Sequence, residues 1–120
     1  MATLTPTLTL ASTDYGSDSL NFTVTKGLTT TSPSVGVSRA SILHTGATVL
    51  IASSVGAVNY VYLKNIDTTN FINVKTDAGV LVMKLSAGEF AFFPLNGSVG
   101  LEVQADTATC VLEYAHFAKS

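Results

Sequence analysis

Short apolar runs that alternate with polar residues recur along the second half of the chain, from Tyr60 to Phe117. In a strand, successive side chains point to opposite faces, so this alternation separates a core face from an outer face. Gly, Asn and Asp residues divide the runs at near-even intervals, as is typical of turns. No stretch has convincing helical periodicity. The pattern therefore predicts an all-β fold.

Two segments of this half predict particular strands. Tyr60–Leu63 is apolar on both faces, which is typical of a central strand that is covered on both sides. Asp77-Ala78-Gly79 offers turn chemistry between two apolar runs and predicts a hairpin.

Cys110 lies in the last alternating run, so we expect a buried small hydrophobe, and a lone cysteine permits no internal disulfide.

A third segment predicts a second hairpin. Pro94 is expected to close the run Phe90–Phe93, because proline cannot donate a hydrogen bond to a ladder. Asn96-Gly97 then follows, and both residues tolerate the positive φ that a tight hairpin turn requires. We therefore expect Val99–Val103 to return beside the preceding strand.

The first half of the chain repeats the pattern more weakly. Leu20–Thr25 alternates regularly and predicts one strand. An earlier run alternates leucine with threonine around Pro6, which favours an edge strand or an extended arm. The apolar positions of that run are Leu4, Leu8 and Leu10. We interpret residues 1–14 as this arm or edge strand and residues 15–120 as one β-sandwich domain.

The composition of the chain predicts that it self-associates. The chain has 120 residues, enough for one domain with a real core. Only 12% of its residues are charged while 47% are hydrophobic, and the mean hydropathy is +0.42. This is more apolar surface than one fold readily hides, so part of it is expected between subunits. The alternative is a tight sandwich whose polar surface consists of Ser and Thr.

Charge and targeting signals exclude several classes of function. A net charge of −2 and scattered basic residues argue against binding to nucleic acid. No apolar run approaches the ~20 residues that a membrane-spanning helix needs, and no signal peptide opens the chain. We therefore expect a protein made in a cytoplasm that binds neither nucleic acid nor membrane.

Candidate chemistry is sparse, so we expect no catalytic residues, no metal site and no cofactor. His44 and His116 are not a closely spaced pair of ligands of the kind that metal-binding barrels use. Glu89 and Glu113 are in principle a carboxylate pair, but nothing in their spacing favours glycoside chemistry. The many hydroxyl groups have no Gly-flanked elbow to present a nucleophile. These patterns favour a protein that is not an enzyme.

Four segments together resemble a family of known proteins. They are Tyr60-Val61-Tyr62-Leu63-Lys64-Asn65-Ile66-Asp67, Phe71-Ile72-Asn73-Val74, Leu85-Ser86-Ala87-Gly88-Glu89-Phe90-Ala91-Phe92-Phe93-Pro94-Leu95 and Cys110-Val111-Leu112-Glu113-Tyr114. This progression is similar to small virion structural proteins of tailed bacteriophages. The resemblance covers roughly the C-terminal half, and its motifs are structural rather than catalytic.

The resemblance implies a β-sandwich, jelly-roll-like subunit that is often trimeric and sits on a capsid or in a tail assembly. The expected function is a head decoration or cement protein of the virion, assembled in the host cytoplasm. Its expected partners are its own copies, as a homotrimer, and the major capsid protein. Binding energy is the expected mechanism, because each copy bridges capsid subunits and stabilises the shell by mass action.

Two sets of residues are candidates for this interface. The arm Ala2–Thr13 is expected to clamp a neighbour by adding a strand to an exposed edge, and its apolar residues are Leu4, Leu8 and Leu10. The alternative is a disordered leader without a role. The aromatic cluster is a candidate interface anchor, because buried aromatics dominate binding hot spots, and it consists of Phe90, Phe92 and Phe93. The alternative is that this cluster belongs to the core.

Other functions remain open at this point. The same domain in a tail or fibre is the nearest alternative. A second class is a module that binds a host glycan through loops such as Thr29–Ser34 or Asp67–Asn70, although carbohydrate readers usually show exposed aromatic platforms. An enzyme on a cupin-like barrel is disfavoured by the missing metal-ligand motif.

Overall fold

The computed structural model describes residues 2–31, 37–53, 59–96 and 98–120. In these ranges the chain forms twelve strands and no α-helix, so the predicted all-β class is confirmed. The strands belong to two compact units, Met1–Pro33 with Ser120, and Ser34–Lys119.

The first unit is one long antiparallel hairpin. Its strands are β1 (Ala2–Leu4), β2 (Thr7–Ser12), β3 (Leu20–Thr25) and β4 (Leu28–Thr30). β1 pairs with β4 and β2 pairs with β3, and the same register runs from Ala2 opposite Thr30 to Ser12 opposite Leu20. The ladder is interrupted at Pro6, which has no N–H to donate but whose carbonyl accepts from the Lys26 N–H at 3.3 Å.

This hairpin divides the chain at a different place from the one expected. The expected boundary between residues 14 and 15 falls in the loop between β2 and β3, and the compact unit ends at Pro33. The physical reason is that the leucine–threonine alternation of β2 finds its partner in the equally alternating Leu20–Thr25. The N-terminal run is therefore a paired strand of the hairpin.

The second unit is a β-sandwich of eight strands in two sheets. The strands are β5 (Ser38–Ile42), β6 (Thr48–Ile51), β7 (Asn59–Asn65), β8 (Ile72–Thr76), β9 (Leu81–Leu85), β10 (Phe90–Leu95), β11 (Leu101–Ala105) and β12 (Cys110–Ala118). The first sheet has the order β10-β7-β12-β5, and the second has the order β6-β11-β8-β9.

This strand order is that of a jelly roll. Counted from the first strand of the sandwich, one sheet holds the sixth, third, eighth and first strands, and the other holds the second, seventh, fourth and fifth. Two interlocked Greek keys produce this arrangement. The predicted jelly-roll-like sandwich is confirmed, and Tyr60–Leu63 lies in β7, a central strand as expected.

The two predicted hairpins had different outcomes. Asp77-Ala78-Gly79 joins β8 to its neighbour β9, and the φ of 90° at Gly79 is the left-handed conformation that such a three-residue loop needs. The second hairpin was wrong, because β10 and β11 lie in different sheets and β11 pairs with β6 and β8. Gly97, in the expected turn, lies outside the described residues.

The core lies between the inner faces of the two sheets. Alternate residues of each strand point inward, and among the fully buried side chains are Ile42, Leu63, Ile72, Val74, Val103 and Leu112. Cys110 is 0% exposed in this core, as its alternation predicted.

One buried polar residue joins the two sheets at the end of β7. The Asn65 side chain is 0% exposed. Its Nδ2 donates to the carbonyl of Asn70 at 2.9 Å and to that of Leu85 at 3.0 Å, and its Oδ1 accepts from the Asp67 N–H at 3.0 Å. Since every polar atom of the amide has a partner, its burial carries little penalty. The amide holds the loop after β7 against the end of β9 in the other sheet.

We expect Asn65→Ala to lower the free energy of unfolding by about 2–4 kcal/mol, because it leaves two carbonyls and one N–H without their buried partner. Urea unfolding curves measure the change. Asn73→Ala is the matched control, since Asn73 lies half-buried on the outward side of β8. Equal losses in the two variants would contradict the role given to Asn65.

Candidate interaction surfaces

The outer face of the first sheet is rich in aromatic residues. The inward alternation of the core places the opposite phase of β7, β10 and β12 on this side. We call this surface the aromatic face, and its aromatic members and proline are Tyr60, Tyr62, Phe90, Phe92, Pro94 and Phe117. These residues come from three neighbouring strands, so they form one continuous surface.

Two phenylalanines of the edge strand β10 are its most accessible part. Phe90 is 63% exposed and Phe92 is 39% exposed. The Phe92 ring is stacked on that of Tyr60, with ring centroids 6.3 Å apart. On the other side Lys119 places its ammonium 5.6 Å from the Tyr60 ring centroid. Tyr60 is 7% exposed, so Phe92 is the more accessible ring of this stacked pair.

A charged group adjoins the aromatic residues on β12. The Glu113 carboxylate accepts from the Tyr62 hydroxyl at 2.8 Å and from Arg39 Nε at 3.2 Å. Burial, the hydrogen bond to Glu113 and the negative charge of Glu113 raise the pKa of Tyr62 to about 12. The hydrogen bond from Tyr62, with the nearby Arg39 and Lys64 cations, lowers the pKa of Glu113. The tyrosine thus stays protonated and orients a carboxylate.

The outer face of the second sheet is polar instead. Its outward residues include Asn73, Lys75, Glu102 and Gln104. Lys75 Nζ donates to Gln104 Oε1 at 2.8 Å, and Gln104 Nε2 donates to the His44 carbonyl at 3.0 Å. These hydrogen bonds fix the Lys75 and Gln104 side chains along the surface of the sheet. The sandwich therefore presents an aromatic face and, over the central strands β8 and β11, a polar one, with Val49 and Leu81 exposed on the edge strands β6 and β9.

The aromatic face ends at an open sheet edge. Asn65 N–H donates to the Glu89 carbonyl at 2.9 Å, so Glu89 and Asn65 are a hydrogen-bonded pair. Bonded and non-bonded pairs alternate in an antiparallel ladder, which directs the N–H and C=O groups of Phe90 and Phe92 away from β7. Among the described strands none pairs with this side of β10.

Pro94 fits this edge without loss of a ladder bond. The prediction that Pro94 closes the strand was wrong, because β10 continues through Pro94 to Leu95. Pro94 is at an outward-directed position, where an edge strand needs no N–H.

Beside the edge lies an open cleft of about 500 Å³ between β9 and β10, lined by residues that include Met83, Leu85, Glu89 and Phe90.

The hairpin of the first unit also has two unlike faces. Paired residues share a face, so the register places apolar residues on one side. We call this side the apolar hairpin face. Ser12 and Lys26 share it with its apolar members, which are Leu4, Pro6, Leu8, Leu10, Leu20, Phe22, Val24 and Leu28. The opposite side, the threonine face, carries Thr3, Thr7, Thr9, Thr23, Thr25 and Thr29.

The middle of the apolar hairpin face is open to solvent. Leu8 is 46% exposed, Leu10 42%, Phe22 42% and Val24 54%. On the threonine face, hydroxyl groups bond across the strands, with 3.1 Å between Thr7 and Thr25 Oγ1 and 3.1 Å between Thr9 and Thr23 Oγ1. The hydroxyl groups of the threonine face form hydrogen bonds with one another, whereas the four apolar side chains on the opposite side are exposed to solvent.

The structure places the predicted interface residues on three surfaces. Leu8 and Leu10 lie exposed on the apolar hairpin face, and Leu4 is half-buried on the same side. Phe90 and Phe92 lie together on the aromatic face. Phe93 points to the opposite side of β10 and packs against the core.

Sequence reasoning missed other members of these surfaces. Phe22 and Val24 oppose Leu10 and Leu8 in the register, but they were assigned to the sandwich domain. Their alternation was visible, and only their pairing was not. The bonds from Tyr62 and Arg39 to Glu113 had no signal in the sequence, because β7, β5 and β12 are far apart along the chain.

The structure describes the two loops considered for glycan binding to different extents. In the loop Asp67–Asn70, Asp67 Oδ2 accepts from the N–H groups of Thr69 at 2.9 Å and Asn70 at 2.7 Å. These bonds lower the pKa of the Asp67 carboxyl, and they direct this carboxylate to its own loop. In the other candidate loop, residues 32–34 lie outside the described residues.

Groups with possible chemistry are dispersed. In the described parts of the chain, no cluster of three or more His, Cys, Asp or Glu residues has the arrangement of a metal site. Burial raises the pKa of the Cys110 thiol, so it is a poor nucleophile at neutral pH. Within the same residues, no helix has the length and apolar character needed to cross a membrane.

Comparisons with known proteins find no family model, no curated protein and no solved structure that matches this chain.

The contact between Tyr62 and Glu113 predicts a change in tyrosine titration. We expect Glu113→Gln to lower the pKa of Tyr62 from about 12, because the carboxylate's charge is lost, while burial keeps it above the ordinary 10.0. The raised pKa stabilises the fold below pH 10, and this stabilisation is lost as the pH rises through about 12. Alkaline titration of tyrosinate absorbance measures the shift.

Two variants control this measurement. Tyr62→Phe identifies the titration step that belongs to Tyr62. Glu102→Gln removes a carboxylate from the polar outer face, and we expect it to leave that step in place. A Tyr62 pKa that is unchanged in Glu113→Gln would refute the assigned coupling.

Proposed function

We propose that this chain is a non-enzymatic structural protein of a tailed-bacteriophage virion. In this proposal it decorates the head, where it binds the major capsid protein and stabilises the assembled shell. The virion, assembled in the host cytoplasm, is its location. The resemblance of the C-terminal half to such proteins supplies the family, and the surfaces of the molecule supply the physical argument.

The difference between the two outer faces of the sandwich is the observation that carries the proposal. Exposed aromatic residues are frequent anchors at protein interfaces, and Phe90 and Phe92 lie together on one face. The other face carries lysine, glutamate and amide side chains on its central strands, and these suit contact with water, while its exposed apolar residues are confined to the edge strands β6 and β9. A subunit on a shell needs this asymmetry, because one side meets the shell and the other meets solvent.

The open edge of β10 supports the same proposal. The outward-directed N–H and C=O groups of Phe90 and Phe92 can pair with an extended segment of a partner. Side chains and backbone of the same two residues then contribute to one interface. Such an edge is a liability in a free monomer, since unpaired edges promote aggregation, so a partner that covers it has a physical benefit.

Low charge favours a crowded array of identical copies. The net charge is only −2 over 120 residues, so repulsion between neighbouring copies is weak. Stabilisation then follows from mass action, because a protein that binds the assembled shell and not its dissociated subunits favours the shell. The predicted trimer remains part of this proposal as one way of arranging the copies.

A host-glycan-binding module is the second candidate function. The observation that favours it is the position of Phe90 beside the open cleft, since glycan sites combine an accessible aromatic ring with polar groups. Glu89 is such a polar group, but its Oε1 already accepts from the Ser86 N–H at 2.7 Å. We therefore place this candidate second, with a tail or fibre location as a variant of the first.

The test is binding of the purified chain to shells assembled from the major capsid protein encoded in the same genome. We expect Phe90→Lys to weaken this binding by about tenfold or more, because it places a charge in the aromatic contact. Co-sedimentation over a range of concentrations measures the affinity. The matched control is Val49→Lys, since Val49 is 53% exposed on the polar outer face.

Two results would overturn the assignment. Wild-type protein that does not bind the shells would exclude the head location, and binding to purified tails or glycans would then identify the alternative. Equal weakening by the Phe90 and Val49 variants would show that the aromatic face is not the attachment surface.

A further inference from the structure

We infer that the apolar hairpin face binds the same face of a second copy, with the two hairpins antiparallel about a two-fold axis that passes through the Leu10–Phe22 pair. This inference deepens the proposed function, since it supplies the contact that links neighbouring copies. It concerns the first unit alone and is independent of how that unit is placed against the sandwich.

The need for a partner follows from the form of the hairpin. A two-stranded hairpin is marginally stable in water by itself, because it cannot bury its apolar face. Here the four central apolar residues are between 42% and 54% exposed. Packing against a second sheet is the ordinary way in which such a face is covered, and the strands of the two sheets then lie roughly aligned.

The chemistry of the face points to a second copy as that partner. Between Pro6 and the tip, its paired positions are Leu8 with Val24, Leu10 with Phe22, and Ser12 with Leu20. This surface offers little for hydrogen bonding to a polar partner, whereas a second apolar stripe of the same width matches it. An isologous contact also needs no further protein, because the surface is complementary to itself.

The charged residues of the hairpin favour the antiparallel arrangement. Asp14 and Asp18 lie in the exposed loop at the tip, and Lys26, opposite Pro6, lies on the far side of the four central apolar residues. A two-fold axis across the Leu10–Phe22 pair brings Lys26 of one copy towards the tip loop of the other, which carries Asp14 and Asp18. A parallel arrangement places like charges together at both ends. Charge complementarity thus selects the direction, and the apolar rows select the register.

The same axis brings apolar residues together in three of the four kinds of contact along the stripe. Phe22 faces Phe22 of the second copy, and Leu10 faces its own counterpart. Leu20 faces Val24, and Leu8 faces Ser12. A shift by one pair of rows in one direction would place Lys26 over Leu20, and in the other direction it would bring the tip loop over Leu8 and Val24. The Leu10–Phe22 row is therefore the centre of the contact.

Cross-linking in solution tests this geometry. We expect Phe22→Cys to give covalent dimers with a short bismaleimide, because packed sheets lie about 10 Å apart and residue 22 faces itself across the axis. Thr23→Cys is the matched control. Thr23 is the next residue along β3 but lies on the threonine face, so its thiols point away from each other in the dimer. Buried Cys110 leaves the wild-type chain unreactive.

A charge exchange tests the antiparallel direction. We expect Lys26→Asp to weaken dimerisation by about three- to tenfold, because it replaces two attractive contacts with repulsive ones. Adding Asp18→Lys to the same chain should restore the affinity. Sedimentation equilibrium measures the dimer, and circular dichroism confirms that each variant is folded.

The outcomes separate this inference from the proposed function, because no shell is present. Dimers in Phe22→Cys but not in Thr23→Cys, together with rescue by the double charge exchange, support the inference even if the chain never binds a shell. Equal cross-linking at both positions, no cross-linking at residue 22, or failure of the rescue would overturn it, whatever the shell assay shows.

Discussion

A sheet with an apolar face must cover that face, and this constraint shapes the whole molecule. In the sandwich, the inner faces of two four-stranded sheets cover each other, and the jelly-roll order is one of few ways to connect eight strands around such a core. Asn65 can be buried at the junction because its amide bonds to Asn70, Leu85 and Asp67. The hairpin has the same kind of face but is only two strands wide. The sandwich covers its apolar faces internally, whereas the middle of the apolar hairpin face is exposed to solvent.

Alternation in the sequence predicted the strands well, because side-chain period alone determines which residues share a face. It also predicted the β8–β9 hairpin, where Asp77-Ala78-Gly79 carries local turn chemistry. Alternation and local turn residues do not reveal which strands pair when they are distant along the chain. Asn96-Gly97 suggested that β11 returns beside β10, but the chain crosses to the other sheet instead. Similarly, β2 and β3 alternate in phase, yet no tight-turn signal in residues 13–19 reveals that they are partners.

The candidate surfaces were predictable to the extent that they depend on local alternation. Phe90 and Phe92 share one phase of β10, and Phe93 has the other, so the cluster divides between an outer face and the core. The sequence contains this division, although the residues were grouped together as one anchor. The unequal polarity of the two outer faces could not be predicted, because it depends on which strands are neighbours. Glu113 meets Tyr62 and Arg39 only through the order β7-β12-β5.

Two interaction surfaces on separate units allow weak contacts to act together. The exposed part of the aromatic face is small, centred on Phe90 and Phe92, so one copy on a shell is expected to bind only weakly. A pair joined through its hairpins carries two such faces. Once the first face is bound, the second acts at a high effective concentration, provided that both reach the same surface. Attachment of the pair then exceeds the affinity of either face without any new contact. In the proposed function, the hairpin, which contributes no residue to the described hydrophobic core, would serve to join copies, and the aromatic face would serve to attach them.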